Sequence, residues 1–341
     1  MAGAGLIGSK HARLIATLSG CHLVGIADVD ASRDAAGQLG VPFYLDVETL
    51  IERESPDGLI VATPNGTHAL IAELCAKRSV HVLIEKPIAA SLHEADQIVD
   101  AAERNQVQVL VGHHRRYNPL VQETRSIVQS GELGRLVAVS MMWALLKPAE
   151  YYEAEWRCRR PDGGPALINL IHEFDSLRFI CGEIREVYAQ SSCATRKLGV
   201  EDSLSIALSF ANGALGSIVA SDATPSPWSY EAATGENPHY FHAEENCYYF
   251  LGSLGSLAFP RMEMWRYANN GPSGWQHPLE KSRCEITKSD PLVAQLQHFC
   301  RVVRGEELPL IDAREGRRSL AVALAVLESI ERQQPVPLSS V

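Results

Sequence analysis

Several features that mark other classes of protein are missing from this sequence. No apolar run approaches the roughly 18–20 residues that a membrane-spanning helix needs. The start, Met1–Gly5, has neither the basic segment nor the long apolar segment of a secretory signal peptide. The eight cysteines include no C-x-x-C pair, which argues against a zinc ribbon, a thioredoxin-type site and a secreted disulfide framework. We therefore expect a cytoplasmic protein with no membrane partner and no metal site.

An excess of positive charge is also absent. Lysine and arginine number 31 against 41 aspartates and glutamates, so the formal net charge is −10. Because contacts to a phosphate backbone need clustered cations, this balance disfavours nonspecific binding of nucleic acid, although a few local cations can still hold a small anion. What is present is ordinary globular composition, with 46% apolar and 21% charged residues in a chain of 341. That length suits two domains of roughly 100–200 residues each.

The pattern of apolar runs changes near residue 118. Before it, aliphatic strands such as Gly58–Thr63 and Val80–Ile84 alternate with helical stretches, which predicts a parallel sheet covered on both faces. After it, strand-like runs follow one another, and Ser203–Phe210 and Leu215–Ala220 flank a turn as in a hairpin. The sequence predicts an α/β doubly wound domain over residues 1–118. Residues 119–341 are expected to form an α+β domain with a mostly antiparallel sheet and closing helices that pack back.

Six residues near the start fit a dinucleotide-binding fingerprint, G-x-G-x-x-G, made by Gly3, Gly5 and Gly8 with Leu6 and Ile7 before the last glycine. Its glycines permit a tight turn and a close approach of a pyrophosphate to a helix N-terminus. The next predicted strand ends in Asp28, 20 residues after Gly8, where a carboxylate would bond a ribose 2′-hydroxyl and repel a 2′-phosphate. This favours NAD over NADP. The alternative is a plain glycine turn followed by an ordinary strand-end aspartate.

The strand that should precede this fingerprint is almost wholly missing. A typical strand has about five or six residues, yet only Met1 and Ala2 come before Gly3. Either the chain start is misassigned or truncated, or the sheet is completed in another way. We expect a native form to have several more apolar residues before Gly3, which would supply the first strand.

Two further loops begin where predicted strands end, at the edge where doubly wound sheets bind ligands. Thr63, Pro64, Asn65 and His68 follow the strand GLIVAT, and Glu85-Lys86-Pro87 follows the strand VHVLI. A lysine at this edge could polarise a hydroxyl or carbonyl oxygen and stabilise charge as it develops. The alternatives are a capped loop for the first segment and a simple turn for the second.

A third group of polar residues lies on or before a predicted helix over 165–180. Trp156 and Arg157 precede a Gly163-Gly164-Pro165 turn, and Asn169, His172 and Asp175 recur at helical spacing among aliphatic residues. One continuous helix would place the last three on one side, within about a half-turn. Three polar groups on one side favour a site. The alternative for His172 is a satisfied histidine of the core.

Essentially the whole chain carries a series of ordered motifs: G-A-G-L-I-G, T-P-N-x-x-H, E-K-P, G-H-H-R-R-Y-N-P, W-R and GGPALINLIHEFD. In these motifs the chain resembles the Gfo/Idh/MocA family, named for glucose–fructose oxidoreductase, inositol dehydrogenase and rhizopine catabolism. The resemblance implies an N-terminal Rossmann domain and a C-terminal domain with an open, mostly antiparallel sheet. It also implies a nicotinamide cofactor, oxidation of a sugar or cyclitol hydroxyl, and a homodimer or homotetramer formed through the C-terminal sheet.

Carried over residue by residue, the resemblance makes Lys86 the catalytic lysine and His172 the catalytic histidine. It assigns cofactor contacts to Gly3, Gly5, Gly8, Asp28, Thr63, Pro64, Asn65, His68 and Glu85, with Leu6 and Ile7 inside the fingerprint and Trp156 and Arg157 near the nicotinamide. In one departure, many members have Asp four residues before the histidine, whereas here Asn169 stands three before it. Asn169 cannot be a carboxylate base. It could still orient a substrate hydroxyl, so more depends on His172.

Together these expectations describe an NAD-dependent dehydrogenase acting on a secondary alcohol of a sugar, cyclitol or related polyol. Neutral His172 would accept the hydroxyl proton, since its reference pKa of about 6.5 suits proton transfer near neutrality. Lys86 would stabilise the developing alkoxide, although these two roles could be exchanged. Candidate substrate contacts, each of which could equally be structural, are Arg116, Tyr117, Trp228, Glu231, His239 and Tyr240. Two alternatives stay open: a relative that recycles its NAD to drive elimination or glycoside cleavage, and a nonenzymatic NAD-binding sensor or regulator.

Overall fold

The computed structural model describes residues 1–30, 35–269 and 271–338, which fall into two compact units. Unit 1 comprises Met1–Tyr117 and Asp290–Leu320, and unit 2 comprises Asn118–Ser289 and the described residues from Ala321 onward. The chain therefore returns to unit 1 after residue 289. The last three residues of the predicted second domain, 339–341, lie outside the described residues.

The two units contain strands and helices in the following chain order. The strands are β1 (Ile26–Ala27), β2 (Phe43–Tyr44), β3 (Gly58–Val61), β4 (His81–Ile84), β5 (Val109–Val111), β6 (Leu136–Ala144), β7 (Ile184–Ser192), β8 (Ser203–Phe210), β9 (Leu215–Ser221), β10 (Tyr248–Gly252), β11 (Gly255–Phe259), β12 (Glu263–Arg266), β13 (Glu280–Arg283) and β14 (Val336–Pro337). The helices are α1 (Leu6–Thr17), α2 (Ala35–Leu39), α3 (Val47–Glu54), α4 (His68–Lys77), α5 (Leu92–Asn105), α6 (Pro119–Gln129), α7 (Pro165–Ile168), α8 (Leu170–Cys181), α9 (Tyr230–Thr234), α10 (Pro291–Val303) and α11 (Ala313–Arg332). Short 3-10 helices span Asn65–Thr67, His114–Tyr117, Ala149–Glu153 and Glu155–Cys158.

All described pairings in the sheet of unit 1 are parallel. Strand β1 pairs with β2, while β3, β4 and β5 lie side by side in that order. Ala2 connects the two groups, because it forms parallel bridges to both Ala27 and Val61. The order across the sheet is therefore β2, β1, Ala2, β3, β4, β5. The predicted doubly wound parallel sheet is confirmed.

Ala2 alone occupies the position of the strand that the glycine fingerprint should follow. Its N–H donates to Ile60 O at 2.8 Å, and the amino group of Met1 donates to Gly25 O at 3.0 Å. Beside these residues lies a cavity of about 420 Å³ whose lining includes Met1, Ile60 and Phe299. Burial lowers the pKa of the Met1 amino group to about 5, because an ammonium loses its hydration there. The centre of the sheet is thus held by two residues and bordered by open space.

The sheet of unit 2 has the strand order β13-β12-β11-β10-β6-β9-β8-β7-β14. Its neighbouring strands are antiparallel except for the parallel pair β6 and β9. Strands β8 and β9 form the predicted hairpin, with Ser203 opposite Ser221 and Leu208 opposite Gly216. The mostly antiparallel C-terminal sheet is therefore confirmed.

One face of this sheet is buried within unit 2 and the other is open. On β8, Leu204, Ile206 and Leu208 are buried and the residues between them are not, as the two-residue period of a strand requires. On the open face, Leu251 of β10, Ala138 of β6 and Leu215 of β9 lie opposite one another. Leu215 is 61% exposed. An apolar row therefore crosses three adjacent strands on the open face.

The predicted continuous helix over 165–180 is wrong. Helix α7 ends at Ile168 and α8 begins at Leu170, with Asn169 between them at φ −109° and ψ −54°. The N–H of His172 donates to Asn169 O at 3.1 Å, a three-residue span in place of the four-residue span of an α-helix. Asparagine is a poor residue for a helix interior because its side chain seeks other hydrogen bonds. Asn169 is therefore a junction residue and not one of three polar groups on a single helix.

Candidate functional site

The loop after Ala2 has the geometry of a phosphate-binding turn. Gly3 has φ +86°, and a Cβ there would lie 2.6 Å from Ala62 O. A Cβ on Gly8 would lie 2.1 Å from Gly3 O, so this glycine lets α1 pack against the loop. Among the described residues no side chain caps α1, and its first turn contains no acidic residue. Its first N–H groups are thus available to an anion, which fits the pyrophosphate of a dinucleotide.

Asp28 directly follows β1, and its side chain binds the glycine loop that begins the fingerprint. Its Oδ2 accepts a hydrogen bond from Ala4 N at 2.6 Å, and its Oδ1 accepts one from Asp30 N at 2.9 Å. The side chain is buried. The carboxylate therefore fixes the glycine loop from the same position at which the sequence predicts a contact to the ribose.

His68, the first residue of α4, connects the loops that follow β3 and β4. The residue is 1% exposed, with its Nε2 2.9 Å from Thr63 O and its Nδ1 3.0 Å from Pro87 O. Burial lowers the pKa of His68 despite the opposing effect of these carbonyls, because an imidazolium is poorly solvated there. Both ring nitrogens face the protein. His68 thus braces the loop of Thr63, Pro64 and Asn65 against the turn that carries Lys86.

Glu85 and His11 form a buried pair beneath the same turn. Glu85 Oε1 lies 2.7 Å from His11 Nε2, and Oε2 accepts the N–H of Lys86 at 3.2 Å. Burial acts to raise the pKa of Glu85, but the hydrogen bond and charge of His11, with Lys86 and His114, outweigh it and lower the pKa to about 2. Glu85 is therefore ionised near neutrality and holds the backbone of Lys86, a half-buried residue.

In unit 2, Asn169 and His172 lie at the start of α8. His172 is 8% exposed. Asn169 Oδ1 accepts a hydrogen bond from Lys147 Nζ at 2.7 Å. Sequence reasoning missed Lys147, although the signal was present, because Lys147-Pro148 follows an apolar strand just as Lys86-Pro87 does.

Lys147 belongs to a buried ionic cluster centred on Asp222, which we call the Asp222 cluster: Lys147, Tyr152, Arg196 and Asp222. Asp222 Oδ1 accepts from Arg196 Nε at 2.9 Å, Oδ2 accepts from Tyr152 OH at 2.5 Å, and Lys147 Nζ lies 3.5 Å from Oδ2. Burial lowers the pKa of Lys147 to about 8, although the Asp222 carboxylate opposes the shift. Burial and Asp222 together raise the pKa of Tyr152. The four side chains of the cluster therefore fix one another in place, and Lys147 connects the cluster to Asn169.

The Gly163-Gly164-Pro165 turn shapes the approach to α7. A Cβ on Gly163 would lie 2.7 Å from three carbonyl oxygens of the preceding segment. Gly164 has φ +94°, and its Cβ would lie 2.5 Å from Glu201 Oε1. That oxygen accepts the N–H of Ala166 at 3.1 Å, and Arg160 Nη2 donates to Oε2 at 2.9 Å. Burial raises the pKa of Glu201, another residue that sequence reasoning missed.

The other predicted residues of unit 2 lie around these groups. Trp156 is half exposed, and the Arg157 guanidinium lies 4.1 Å from the centre of the Tyr151 ring and 5.3 Å from that of Trp156. Glu231 Oε2 accepts from Trp143 Nε1 at 3.0 Å. The remaining candidates of this unit are exposed: Trp228, His239 and Tyr240.

In unit 1 the two predicted substrate contacts are buried. Arg116 Nη2 lies 2.9 Å from Glu315 Oε2 in an ion pair. The Tyr117 ring lies 5.6 Å from that of His298, tilted by 51°. These contacts hold both side chains within unit 1, and their assignment as substrate contacts stays a prediction.

Metal sites, membrane-spanning helices and disulfides are absent from the described residues. Residues 1–30, 35–269 and 271–338 contain no group of three or more His, Cys, Asp or Glu arranged to hold a metal ion. No helix in that part of the chain combines the length and apolar character needed to cross a membrane. All eight cysteines are free thiols.

Two family models match the chain. The first, described as "Oxidoreductase family, NAD-binding Rossmann fold", matches residues 1–113, and the second, "GFO/IDH/MocA C-terminal domain", matches residues 121–258. The chain is 26% identical to Myo-inositol 2-dehydrogenase of Thermotoga maritima, over 99% of the chain and 98% of that protein. It is 30% identical to Rhizopine catabolism protein MocA of Rhizobium meliloti, over 63% of the chain and 68% of that protein.

A solved structure extends the likeness to three dimensions. It is the WlbA dehydrogenase from Bordetella pertussis in complex with NADH and UDP-GlcNAcA. The TM-score is 0.81 and the sequence identity 25%, with 100% of this chain and 98% of that chain covered. The fold likeness therefore includes both units.

Proposed function

The chain belongs to the Gfo/Idh/MocA family of oxidoreductases, whose first domain is an NAD-binding Rossmann fold, and we propose that it oxidises a secondary hydroxyl of a sugar, cyclitol or related polyol with NAD. The family resemblance of the ordered motifs is confirmed, as is the expectation of a nicotinamide dinucleotide cofactor. The name of the Thermotoga maritima relative supports a polyol substrate. The UDP-GlcNAcA bound to WlbA supports a substrate of carbohydrate type.

The observation that carries the proposal is the glycine loop held by Asp28. A loop that a Cβ would fill at Gly3, followed by a helix start without a side-chain cap among the described residues, suits a pyrophosphate. A buried carboxylate at residue 28 supports NAD over NADP, because its charge would repel a 2′-phosphate. Further contacts to the dinucleotide are assigned to the loop of Thr63, Pro64 and Asn65, which His68 braces.

The proposed chemistry divides two tasks between His172 and Lys86. When bound, the oxidised nicotinamide supplies the hydride acceptor. Neutral His172 accepts the proton of the substrate hydroxyl, and Lys86, as an ammonium, stabilises the negative charge that develops on that oxygen. The neighbouring Glu85 carboxylate accepts the backbone N–H of Lys86 and so fixes this turn. Trp156 and Arg157 are assigned to the nicotinamide end, and Asn169 to the orientation of the substrate.

We also propose that the chain forms a homodimer or homotetramer through the open face of the unit 2 sheet. The apolar row of Leu251, Ala138 and Leu215, with the exposed side chains of Val219 and Tyr249 on the same strands, supports this interface. Exposed apolar side chains grouped on one face of a sheet are a common mark of an interaction site.

The test of the proposed activity is a panel of sugars, cyclitols and sugar acids, assayed by the absorbance of NADH, with NADP in parallel. We expect at least one polyol to yield NADH in a one-to-one ratio with an oxidised product, and Lys86→Met to abolish most of that signal. Conversion of a substrate without net NADH would instead indicate an enzyme that recycles its cofactor. Tight NAD binding with no conversion of any compound would contradict an enzymatic role.

A further inference from the structure

The orientation of the Asn169 carboxamide is determined by Lys147. An ammonium group has only donors, so the carboxamide atom that lies 2.7 Å from Lys147 Nζ is the acceptor Oδ1 and not Nδ2. The Nδ2 group is therefore turned away from Lys147. Among the described residues nothing accepts a hydrogen bond from it, although Asn169 is only half-buried. A fixed pair of N–H donors thus stands three residues before His172.

The side chain of Lys147 is fixed in one position by contacts from several surrounding elements. Asp222, at the end of β9, lies 3.5 Å from its Nζ, and Arg196, in the segment after β7, donates to its backbone oxygen at 3.0 Å. The ring of Tyr151 lies 4.3 Å from the ammonium, and that of Trp143 on β6 lies 5.7 Å from it. From α9, the charge of Glu231 also acts on this ammonium. Charge and packing therefore converge on the group that orients Asn169.

We propose that Lys147 is a positioning residue of the reaction: its ammonium group holds Asn169 Oδ1, so that Asn169 presents N–H donors to a substrate oxygen beside His172. This inference rests on the proposed function. It also gives a chemical meaning to the asparagine found where many family members have an aspartate. An aspartate could only accept a hydrogen bond from the substrate, whereas Asn169 can donate one to a substrate oxygen. The substrate atom that fits is an oxygen accepting a hydrogen bond, such as a carboxylate, a carbonyl or the lone pair of a hydroxyl.

The arrangement predicts a dependence on pH. Burial lowers the pKa of Lys147 from 10.5 to about 8. Below that pH the ammonium can only donate and Asn169 is fixed. Above it the neutral amine can also accept, so the carboxamide can turn and offer the substrate Oδ1 instead. Productive binding should therefore decline as the pH rises through about 8.

A set of variants tests this in the whole protein with an active polyol from the panel. We expect Lys147→Met and Asn169→Ala each to lower kcat/KM about 10- to 100-fold at neutral pH, the loss typical of a hydrogen bond from a charged or fixed donor. The double variant should lose little more, because both residues serve one contact. NAD affinity should stay near that of the wild type in both variants, and Tm should stay near it in Asn169→Ala, whereas Lys147→Met should lower Tm because it takes a cation away from the buried Asp222. Lys77→Met, which removes an exposed lysine of α4, is the control and should change none of these values.

The pH profile separates positioning from a merely structural role. Wild-type kcat/KM should fall above pH about 8. Lys147→Arg should move this fall to higher pH, since guanidinium stays charged, and Lys147→Met should eliminate it. If Lys147→Met keeps the wild-type kcat/KM and the same fall above pH 8, or if its loss multiplies with that of Asn169→Ala, the proposal is wrong.

A titration that needs no turnover distinguishes this inference from the proposed function. The chain has seven lysines, so NMR of carbon-labelled lysine can assign Lys147 as the signal missing from Lys147→Met. We expect that signal to titrate near pH 8 in the wild type and to shift in Asn169→Ala. Titration near 10.5, unchanged by Asn169→Ala, would overturn the inference even if the enzyme oxidises polyols. A wild type that oxidises no polyol, with the titration as expected, would overturn only the proposed function.

Discussion

Ala4 N donates a hydrogen bond of 2.6 Å to Asp28 Oδ2, so one carboxylate joins the glycine loop to the end of β1. The residue that the sequence assigns to cofactor choice is thus also a residue that shapes the glycine loop. A change at residue 28 should therefore affect the affinity for both cofactors as well as the preference between them.

Asp28→Ala should lower NAD affinity about tenfold or more and narrow the preference for NAD over NADP. It removes the bond to Ala4, the expected bond to the ribose and the repulsion of a 2′-phosphate, and each hydrogen bond contributes about 1 kcal/mol. Asp28→Asn is the matched comparison, because it keeps an acceptor for Ala4 N while it loses the charge and the acceptor for Asp30 N. Titrations of both variants with both cofactors measure this. A wild type that prefers NADP, or an Asp28→Asn variant with unchanged preference, would count against the assignment.

The buried pair of Glu85 and His11 predicts a specific acid sensitivity. The pKa of Glu85 is lowered from 4.5 to about 2 in the fold, so its stabilisation is fully present above pH 4.5 and is lost as the pH falls toward 2. Glu85→Gln should lower the free energy of unfolding by on the order of 3 kcal/mol near neutrality. The difference from wild type should shrink below pH 4.5.

Denaturant unfolding over a pH series measures this difference. Glu73→Gln is the control, because Glu73 forms an exposed ion pair with Lys77 on the surface of α4, where such a pair contributes at most about 1 kcal/mol. A Glu85→Gln variant with wild-type stability at every pH would show that the carboxylate contributes nothing to the fold.

If the chain forms an oligomer through the open face of the unit 2 sheet, one charged substitution on that face should weaken the assembly. Leu215→Glu places a carboxylate in the apolar row with Leu251 and Ala138, where burial against a second copy would be costly. Sedimentation should show a dimer or tetramer for the wild type and a smaller species for Leu215→Glu. Leu308→Glu, at an exposed leucine of unit 1, should leave the assembly unchanged. A monomeric wild type would reject the proposed interface.

The sequence predicts those parts of the fold that have a regular short-range pattern of apolar residues. The alternation of Leu204, Ile206 and Leu208 carries its own two-residue period, and the predicted hairpin of β8 and β9 is correct. Helical spacing was a poorer guide around Asn169, because the aliphatic pattern continues across the junction between α7 and α8. Period alone does not reveal such a break.

Contacts distant in sequence explain what the site analysis missed. The positions of Glu85 and Lys86 at a strand end were predictable, but the partner of Glu85, His11, lies 74 residues away. Lys147 reaches Asn169 across 22 residues, and Asp222 meets Arg196 across 26. Even where a local signal exists, as at Lys147-Pro148, the sequence does not show which distant residue is the partner. Only the tertiary fold brings them together.

Lys86 and His172 carry the central claim about catalysis. Lys86→Met should leave NAD binding nearly intact, because the pyrophosphate and ribose are assigned to the glycine loop and Asp28, and it should lower turnover about 10²- to 10³-fold. His172→Ala should lower turnover roughly 10²- to 10⁴-fold through loss of the base. The double variant should fall far short of the product of the two losses if, as proposed, both groups act on one oxygen in one transition state.

The pH profile of NADH formation with the active polyol, recorded for wild type and His172→Ala under saturating NAD, tests this account most directly. The account predicts that wild-type oxidation falls on the acid side near the pKa of the histidine, since imidazolium accepts no proton, and that the residual activity of His172→Ala lacks this limb. Near-normal turnover of His172→Ala with the acid limb unchanged would contradict it, and would make His172 a histidine of the core of unit 2.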